Sequence, residues 1–150
     1  ISQLTQKTNQ FNMTTRRYTE EDINKFSRSN NFLVLSVNVE DKFGDNGITG
    51  AVIAEKGAKS WRIDTFLLSC RVIGRKIEEV LLAHVIEQAI KGNAKMLTGE
   101  FIHTKKNEPA KDFYKNNGFK LASKGSDTEI WEYDLAKKYK SPDFIKVVKR

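Results

Sequence analysis

The chain has 150 residues, of which 39% are hydrophobic and 30% charged, and its formal net charge is +7. This length and balance predict one globular domain with a buried core. No apolar run approaches the roughly 18 residues of a membrane-spanning helix, and no signal-peptide pattern opens the chain, so we expect no membrane association. The one cysteine, Cys70, excludes an intramolecular disulfide and suits a reducing compartment, which predicts a cytoplasmic protein.

The two ends of the chain differ in composition from the middle. Residues 1–12 are polar with few apolar side chains, and the chain starts at Ile1, so we expect a linker from a missing N-terminal domain. Residues 137–150 are a basic tail with six cations and one acid, Asp143, which gives 6 − 1 = +5. A domain over residues 13–136 lies between them. Because no aromatic–basic RNA-binding motif accompanies the tail, we expect it to attract an acidic protein or a phosphorylated cofactor rather than nucleic acid.

The first half of the domain predicts a strand, a helix and a three-strand meander. Residues 13–18 are the first strand, and Thr19 with Asp22 resembles a capping box that opens a helix. The meander strands, taken from alternating or apolar runs, are residues 32–40, 48–54 and 61–68. A turn at residues 45–47 joins the first two of them.

The second half predicts a long helix followed by a strand, a short helix and a hairpin. Apolar residues at helical spacing predict the long helix over residues 75–90, with Gly92 as its C-terminal cap. A helix of this length between strands 61–68 and 94–102 implies a crossover that makes these strands parallel. Asn107 is the predicted cap of the short helix, and residues 119–123 and 129–135 form the hairpin. The predicted order is β-α-β-β-β-α-β-α-β-β.

A basic turn, residues 71–76, joins the third meander strand to the long helix. The first N–H groups of a helix have no partner within it, and together with the helix dipole they favour an anion. The turn is therefore a candidate anion site, and the alternative is a plain connection with solvated arginines.

Two motifs resemble those of the GNAT acyltransferases. Residues 71–76 (RVIGRK) resemble the acyl-CoA pyrophosphate motif Gln/Arg-x-x-Gly-x-Gly/Ala, and residues 107–119 (NEPAKDFYKNNGF) resemble the later motif Asn-x-x-Ala-x-x-Phe-Tyr with Gly-Phe. The resemblance implies an α/β GNAT acyl-CoA acyltransferase fold, with a mixed, mostly antiparallel sheet of six or seven strands flanked by helices. The implied acyl donor is a thioester of coenzyme A, such as acetyl-CoA, or of a carrier protein's phosphopantetheine. Lys76 departs from the motif, which has Gly or Ala there.

The chain resembles the C-terminal GNAT-like domain of FkbH-like proteins more closely, over roughly residues 6–143. The segments that carry this likeness are NQFNMTTRRYTEEDI, VEDKFGDNGITGAVIA, IDTFLLSCRVIGR and GEFIHTKKNEPAKDFY. The resemblance implies an upstream phosphatase-like domain of the haloacid dehalogenase type. It also implies that the full protein loads a glyceryl unit onto an acyl carrier protein, which is acidic.

The GNAT resemblance assigns the donor-binding residues. The backbone of the 71–76 turn would cradle a pyrophosphate, its arginines would add positive charge, and a strand edge at residues 66–68 would pair with the pantetheine arm. The residues implied are Phe66, Leu67, Leu68, Arg71, Val72, Gly74, Arg75, Lys76 and Asn107.

Three residues are candidates for acid–base catalysis. Asp64 lies where many GNAT enzymes place a general base, and Tyr114 matches the tyrosine that can protonate a departing thiolate. The alternatives are a paired strand acid and ordinary core packing. His103 could also serve as a base, with Glu100 as its partner, or could be a surface residue. We expect no metal site, because the histidines and the cysteine lack ligand spacing.

Three functions remain open at this point. The first is an acyltransferase that uses an acyl-thioester donor, and the second is a non-catalytic module that docks an acidic carrier protein. The third is a plain N-acetyltransferase that acts on a small amine.

Overall fold

The structure, a computed structural model, describes residues 1–41, 44–137 and 139. Seven strands form one sheet: β1 Phe11–Asn12, β2 Phe32–Asp41, β3 Gly44–Lys56, β4 Ser60–Leu68, β5 Met96–Ile102, β6 Lys120–Lys124 and β7 Thr128–Asp134. Within the described residues, four α-helices accompany it: α1 Ser2–Lys7, α2 Glu20–Arg28, α3 Ile77–Lys91 and α4 Phe113–Asn116. The sheet order is β2-β3-β4-β5-β7-β6, with β1 paired to β4.

The sheet is antiparallel except where β4 pairs with β5. Helix α3 connects these two parallel strands, which is the crossover predicted from its length. The expected mixed, mostly antiparallel sheet flanked by helices is confirmed.

Helix α3 packs its apolar stripe on the sheet. Leu82, Val85 and Ala89 are fully buried in the same cluster as Ile63 and Leu97 of the central strands. The helix begins at Ile77 rather than at residue 75, because Lys76 takes a left-handed φ of 63° and cannot continue a helix backwards. Its C-terminal cap, Gly92, is as predicted and donates its N–H to Gln88 O.

The capping box predicted at the start of α2 is present. Thr19 Oγ1 accepts from Asp22 N–H at 3.1 Å, and Asp22 Oδ2 accepts from Thr19 N–H at 3.0 Å. Both bonds satisfy donors that would otherwise have no partner in the first turn.

Residues 1–12 are folded in this structure, although the sequence predicted a linker. Thr5 of α1 is fully buried, and its hydroxyl oxygen accepts from Tyr18 N–H at 3.0 Å. Arg17 donates to the carbonyls of Thr5 and Thr8, which ties α1 to the segment that follows β1.

The first strand and the first meander turn both differ from the prediction. The strand is residues 11–12 rather than 13–18, since Thr15 has a φ of 55° that ends extended structure. Strand β2 pairs antiparallel with β3 as far as Asp41, which lies opposite Gly44. Residues 45–47 therefore lie at the start of β3, beside a register shift in the pairing.

The sequence predicts no membrane-spanning helix. None of the helices in the described part of the chain is long and apolar enough to cross a bilayer.

Candidate donor groove and acid–base cluster

Strands β4 and β5 pair at their N-terminal ends and separate beyond. Their register runs from Ser60 opposite Met96 to Ile63 opposite Gly99. On the other side of β4, Ile53 of β3 pairs with Thr65 while Ala54 pairs with Ile63, so Asp64 is an extra residue. Such a bulge bends a strand. The sheet is thus open between the C-terminal halves of β4 and β5, and we call this opening the groove.

The groove contains β1. Phe11 pairs with Leu68 and Asn12 with Leu67, on the edge of β4 that faces away from β3. Met13 extends this bridge, because its N–H donates to Phe66 O at 3.1 Å and its carbonyl accepts from Ile102 N–H at 2.8 Å. The backbone edge at Phe66, Leu67 and Leu68, which the sequence assigned to a pantetheine arm, is therefore paired with the chain's own residues.

Asn107 fastens β1 in the groove. Its side chain is fully buried, and Nδ2 donates to Asn12 O at 3.0 Å and to Ile102 O at 2.8 Å. Its Oδ1 accepts from Thr104 N–H at 2.8 Å. Asn107 lies at the N-cap position of a short 3₁₀ helix, Glu108–Ala110, as predicted, but its side chain makes no cap bond.

Asp64 and Glu100 lie on the same face of the sheet. Each directly follows the last paired residue of its strand, Ile63 in β4 and Gly99 in β5. Arg16 lies between them, with NH1 2.9 Å from Asp64 Oδ1 and NH2 2.9 Å from Glu100 Oε1. The Tyr18 hydroxyl donates to Asp64 Oδ2 at 2.5 Å. Burial and the bond to Asp64 raise the pKa of Tyr18 to about 12, so this phenol stays protonated at neutral pH.

Arg62 closes the cluster on the solvent side. Its guanidinium lies 3.3 Å from Glu100, 3.6 Å from Asp64 and 2.8 Å from Glu55. Both central carboxylates are thus held between cations. Asp64, expected to be a general base, is a paired carboxylate here and can accept a substrate proton only when Arg16 and Tyr18 release it.

Tyr114 lies on the opposite face of the sheet from Asp64 and Glu100, where β4 and β5 separate. It is 1% exposed, and a Cβ built on Gly99 would lie 2.5 Å from its Cζ, so the ring lies directly on β5 where β4 departs. Among the described residues its hydroxyl has no hydrogen-bond partner. Burial, with a contribution from the negative charge of Glu100, raises the pKa of Tyr114 well above its ordinary value. A buried hydroxyl without a partner is costly, which makes it a candidate ligand-binding group.

His103 does not join this cluster. Its Nε2 lies 3.4 Å from Glu129 Oε2, and its ring packs against Phe101 with centroids 4.6 Å apart. Side chains alternate along β5, so Glu100 points to the opposite face and pairs with arginines instead. The proposed His103–Glu100 partnership is wrong.

The turn before α3 is a short 3₁₀ helix, Cys70–Val72, followed by residues with positive φ. Gly74 has φ +90° with nothing within 4 Å of a built Cβ, and Lys76 has φ +63°. This left-handed position explains why the GNAT motif favours Gly at the place of Lys76. The backbone of Arg71 is part of the turn, whereas its side chain lies outside the described ones. Arg75 is exposed.

A cavity of about 360 Å³ lies between this turn and α4. Its walls include Gly74, Lys76, Asp112 and Asn116, and Phe11 of β1 forms part of them.

The start of α3 carries two acids that also line this cavity, Glu78 and Glu79. Burial raises the pKa of Glu78, and its carboxylate accepts from its own N–H. The helix start thus already has a carboxylate near the place where the sequence predicted phosphates.

No protein-family model and no curated protein sequence matches this chain. Its fold is nevertheless similar to many solved structures. An alanine N-acetyltransferase of a ribosomal protein from Escherichia coli has 13% identity and a TM-score of 0.66, over 97% of this chain and 90% of that one. The PaiA N-acetyltransferase of Thermoplasma acidophilum, solved with coenzyme A, has 21% identity and a TM-score of 0.61 over 78% and 80%. A Desulfovibrio desulfuricans protein assigned to the GNAT acetyltransferases has 15% identity and a TM-score of 0.63 over 77% of each chain.

These likenesses establish the fold. The chain has the GNAT acyltransferase fold, with a seven-stranded, mostly antiparallel sheet flanked by four helices in its described part.

Sequence reasoning missed Arg16, Tyr18 and Arg62 as members of the cluster. The available signal was the alternation of Arg62 and Asp64 on a strand whose other residues are mostly apolar. Charged residues two apart on a strand share a face, and that face must find counter-charges when it is largely covered.

Proposed function

We propose that this domain is an acyltransferase that takes its acyl group from a thioester of coenzyme A. Tyr114 carries the proposal. Its buried hydroxyl has no partner among the described residues, and it lies at the apex of the groove, where the reacting thioester of a donor strand would end.

The chemistry assigns one role to each face of the sheet. Acyl transfer breaks the carbon–sulfur bond and forms a bond from the acyl carbon to the acceptor. Tyr114 stays protonated because its pKa is raised, and it donates a hydrogen bond to the departing sulfur. Asp64 or Glu100, once free of Arg16, would take the proton that the acceptor loses.

The fit to coenzyme A is partial in this arrangement. Gly74 has open space around it, but Glu78, Glu79 and Asp112 line the cavity beside this turn, and β1 fills the groove between the turn and Tyr114. A finer assignment, glyceryl loading onto an acidic carrier protein in an FkbH-like protein, rests on the sequence resemblance alone. The same holds for the upstream phosphatase-like domain, while the cytoplasmic location stays a prediction from the single cysteine.

The test is turnover of acetyl-CoA by wild type and by Tyr114→Phe, with a panel of amines as acceptors. Phenylalanine keeps the ring that packs on Gly99 and removes only the hydroxyl without a partner. We expect turnover to fall by roughly 100-fold, since acid–base groups typically contribute between about 100- and 10,000-fold. Coenzyme A affinity should not change, and the free energy of unfolding should rise by about 1 kcal/mol because a buried unsatisfied group is gone.

A second candidate function is a non-catalytic module that docks an acidic carrier protein. The observation that favours it is β1, which pairs with β4 and, with the hydrogen bonds of Met13 and Asn107, closes the groove to a thioester arm. The basic tail would then recognise the partner, although residues 138 and 140–150 lie outside the described residues. The absence of turnover in wild type with any thioester supports this second function, whereas unchanged turnover in Tyr114→Phe removes only the role assigned to Tyr114.

A further inference from the structure

The N-terminal segment, residues 11–18, contacts both halves of the site. Phe11, Asn12 and Met13 pair with the free edges of β4 and β5, and Arg16 and Tyr18 hold the carboxylates on the opposite face. Thr14 links the two parts, because its hydroxyl donates to Asp64 O at 2.9 Å. One continuous stretch therefore covers the donor side and the acceptor side together.

The segment binds as an extended ligand would. Backbone bonds to Phe66 and Ile102 are the bonds that an added strand makes in a sheet opening, and Phe11 lines the cavity beside the turn around Gly74. On the acceptor side, a single cation lies 2.9 Å from each of two carboxylates. An arginine there occupies the position that a cationic amine acceptor would take.

We propose that residues 11–18 are an intramolecular inhibitor of this site, and that a thioester donor binds only when they withdraw from the groove. The proposal rests on the proposed acyltransferase function and adds its regulation. Withdrawal exposes the edge of β4 and in the same step removes Arg16 from Asp64 and Glu100, leaving Arg62 as their cation, so binding of the donor and release of the base are coupled. A site whose competent state is a minor population binds its ligand more weakly, by the fraction that is competent.

Hydrogen exchange in the wild-type chain gives the first test. In the free protein, the Met13 N–H donates to Phe66 O and the Ile102 N–H donates to Met13 O, so both bonds require the segment to be in place. Saturating coenzyme A should speed exchange of both amides at least tenfold. The Gly92 amide at the end of α3, bonded to Gln88 O, is the internal control and should not change.

A pair of core variants gives the second test. Met13→Ala removes a fully buried side chain from the inhibitory segment, and Leu82→Ala removes one of similar size from α3. Both lose core packing, but only Met13→Ala loosens the segment. We expect Met13→Ala to bind coenzyme A at least tenfold more tightly than wild type, and Leu82→Ala to match wild type.

The outcomes separate the two proposals. If coenzyme A binds wild type without changing exchange at Met13 and Ile102, and Met13→Ala binds no more tightly, the segment is a permanent part of the sheet and only the inhibitor proposal is overturned. If neither wild type nor Met13→Ala binds coenzyme A, the acyltransferase proposal fails with it. Binding by Met13→Ala alone supports both.

Discussion

At the scale of single residues, the site depends on buried polar groups whose partners are fixed. Asp64 accepts from Tyr18 and pairs with Arg16, while Tyr114 has a hydroxyl without a partner among the described residues. The contrast separates the two faces of the sheet. The carboxylates are paired within the chain, whereas the Tyr114 hydroxyl has no hydrogen-bond partner among the described residues.

The Tyr18–Asp64 bond predicts a particular dependence of stability on pH. The pKa of Tyr18 is raised from 10.0 to about 12 in the folded state, so its contribution is complete below pH 10 and is lost as pH rises through 12. Tyr18→Phe should lower the free energy of unfolding by about 1 kcal/mol at pH 8, a value reduced for partial exposure. The gap between the two proteins should close between pH 10 and pH 12.

Urea unfolding at a series of pH values measures this gap. Using the difference between the two proteins cancels the other tyrosines with raised pKa, such as Tyr114, which are present in both. A gap that stays constant from pH 8 to pH 12 would show that the Tyr18 hydroxyl is not bonded to Asp64.

At the scale of elements, contact between β5 and α4 sets the position of Tyr114. The contact needs a residue without a side chain at Gly99, since a Cβ there would lie 2.5 Å from Tyr114 Cζ. Gly99→Ala should therefore cost roughly 1–3 kcal/mol in the free energy of unfolding, the usual range for overpacking a core.

Gly125→Ala is the matched control for that substitution. The nearest atom to a Cβ at Gly125 is Thr128 O at 3.7 Å, an ordinary contact, so the change should be within about 0.5 kcal/mol. Equal stability of the two variants by urea unfolding would contradict the packing of Tyr114 on β5.

At the scale of the whole molecule, local patterns predicted most of the fold and little of the site. The periodicity of α3, the Thr19 capping box and the closing hairpin each depend on residues that are close together in sequence, so residue spacing predicts them. Together with the parallel β4–β5 crossover, they suffice to define the sheet.

The site instead depends on partners that are far apart in sequence. Arg16 and Tyr18 meet Asp64 across 48 and 46 residues, and Asn107 meets Asn12 across 95. A two-residue strand inserted between two others has no periodicity of its own, so the position of β1 could not be predicted. The sequence shows that Lys76 departs from the GNAT motif. Only the structure shows that Lys76 takes a left-handed φ, which is strained for a residue with a side chain.

The central claim is that this GNAT fold binds the phosphates of an acyl-CoA donor at the turn around Gly74. Gly74 has φ +90° and open space where a Cβ would lie, so Asn and Asp share the same backbone strain and the same shape, and only Asp adds a negative charge. Calorimetric titration with coenzyme A should show Gly74→Asn weakened by less than about tenfold and Gly74→Asp without measurable binding, because a carboxylate repels the pyrophosphate. Equal affinity of the Asn and Asp variants would contradict the claim and remove the donor from this turn.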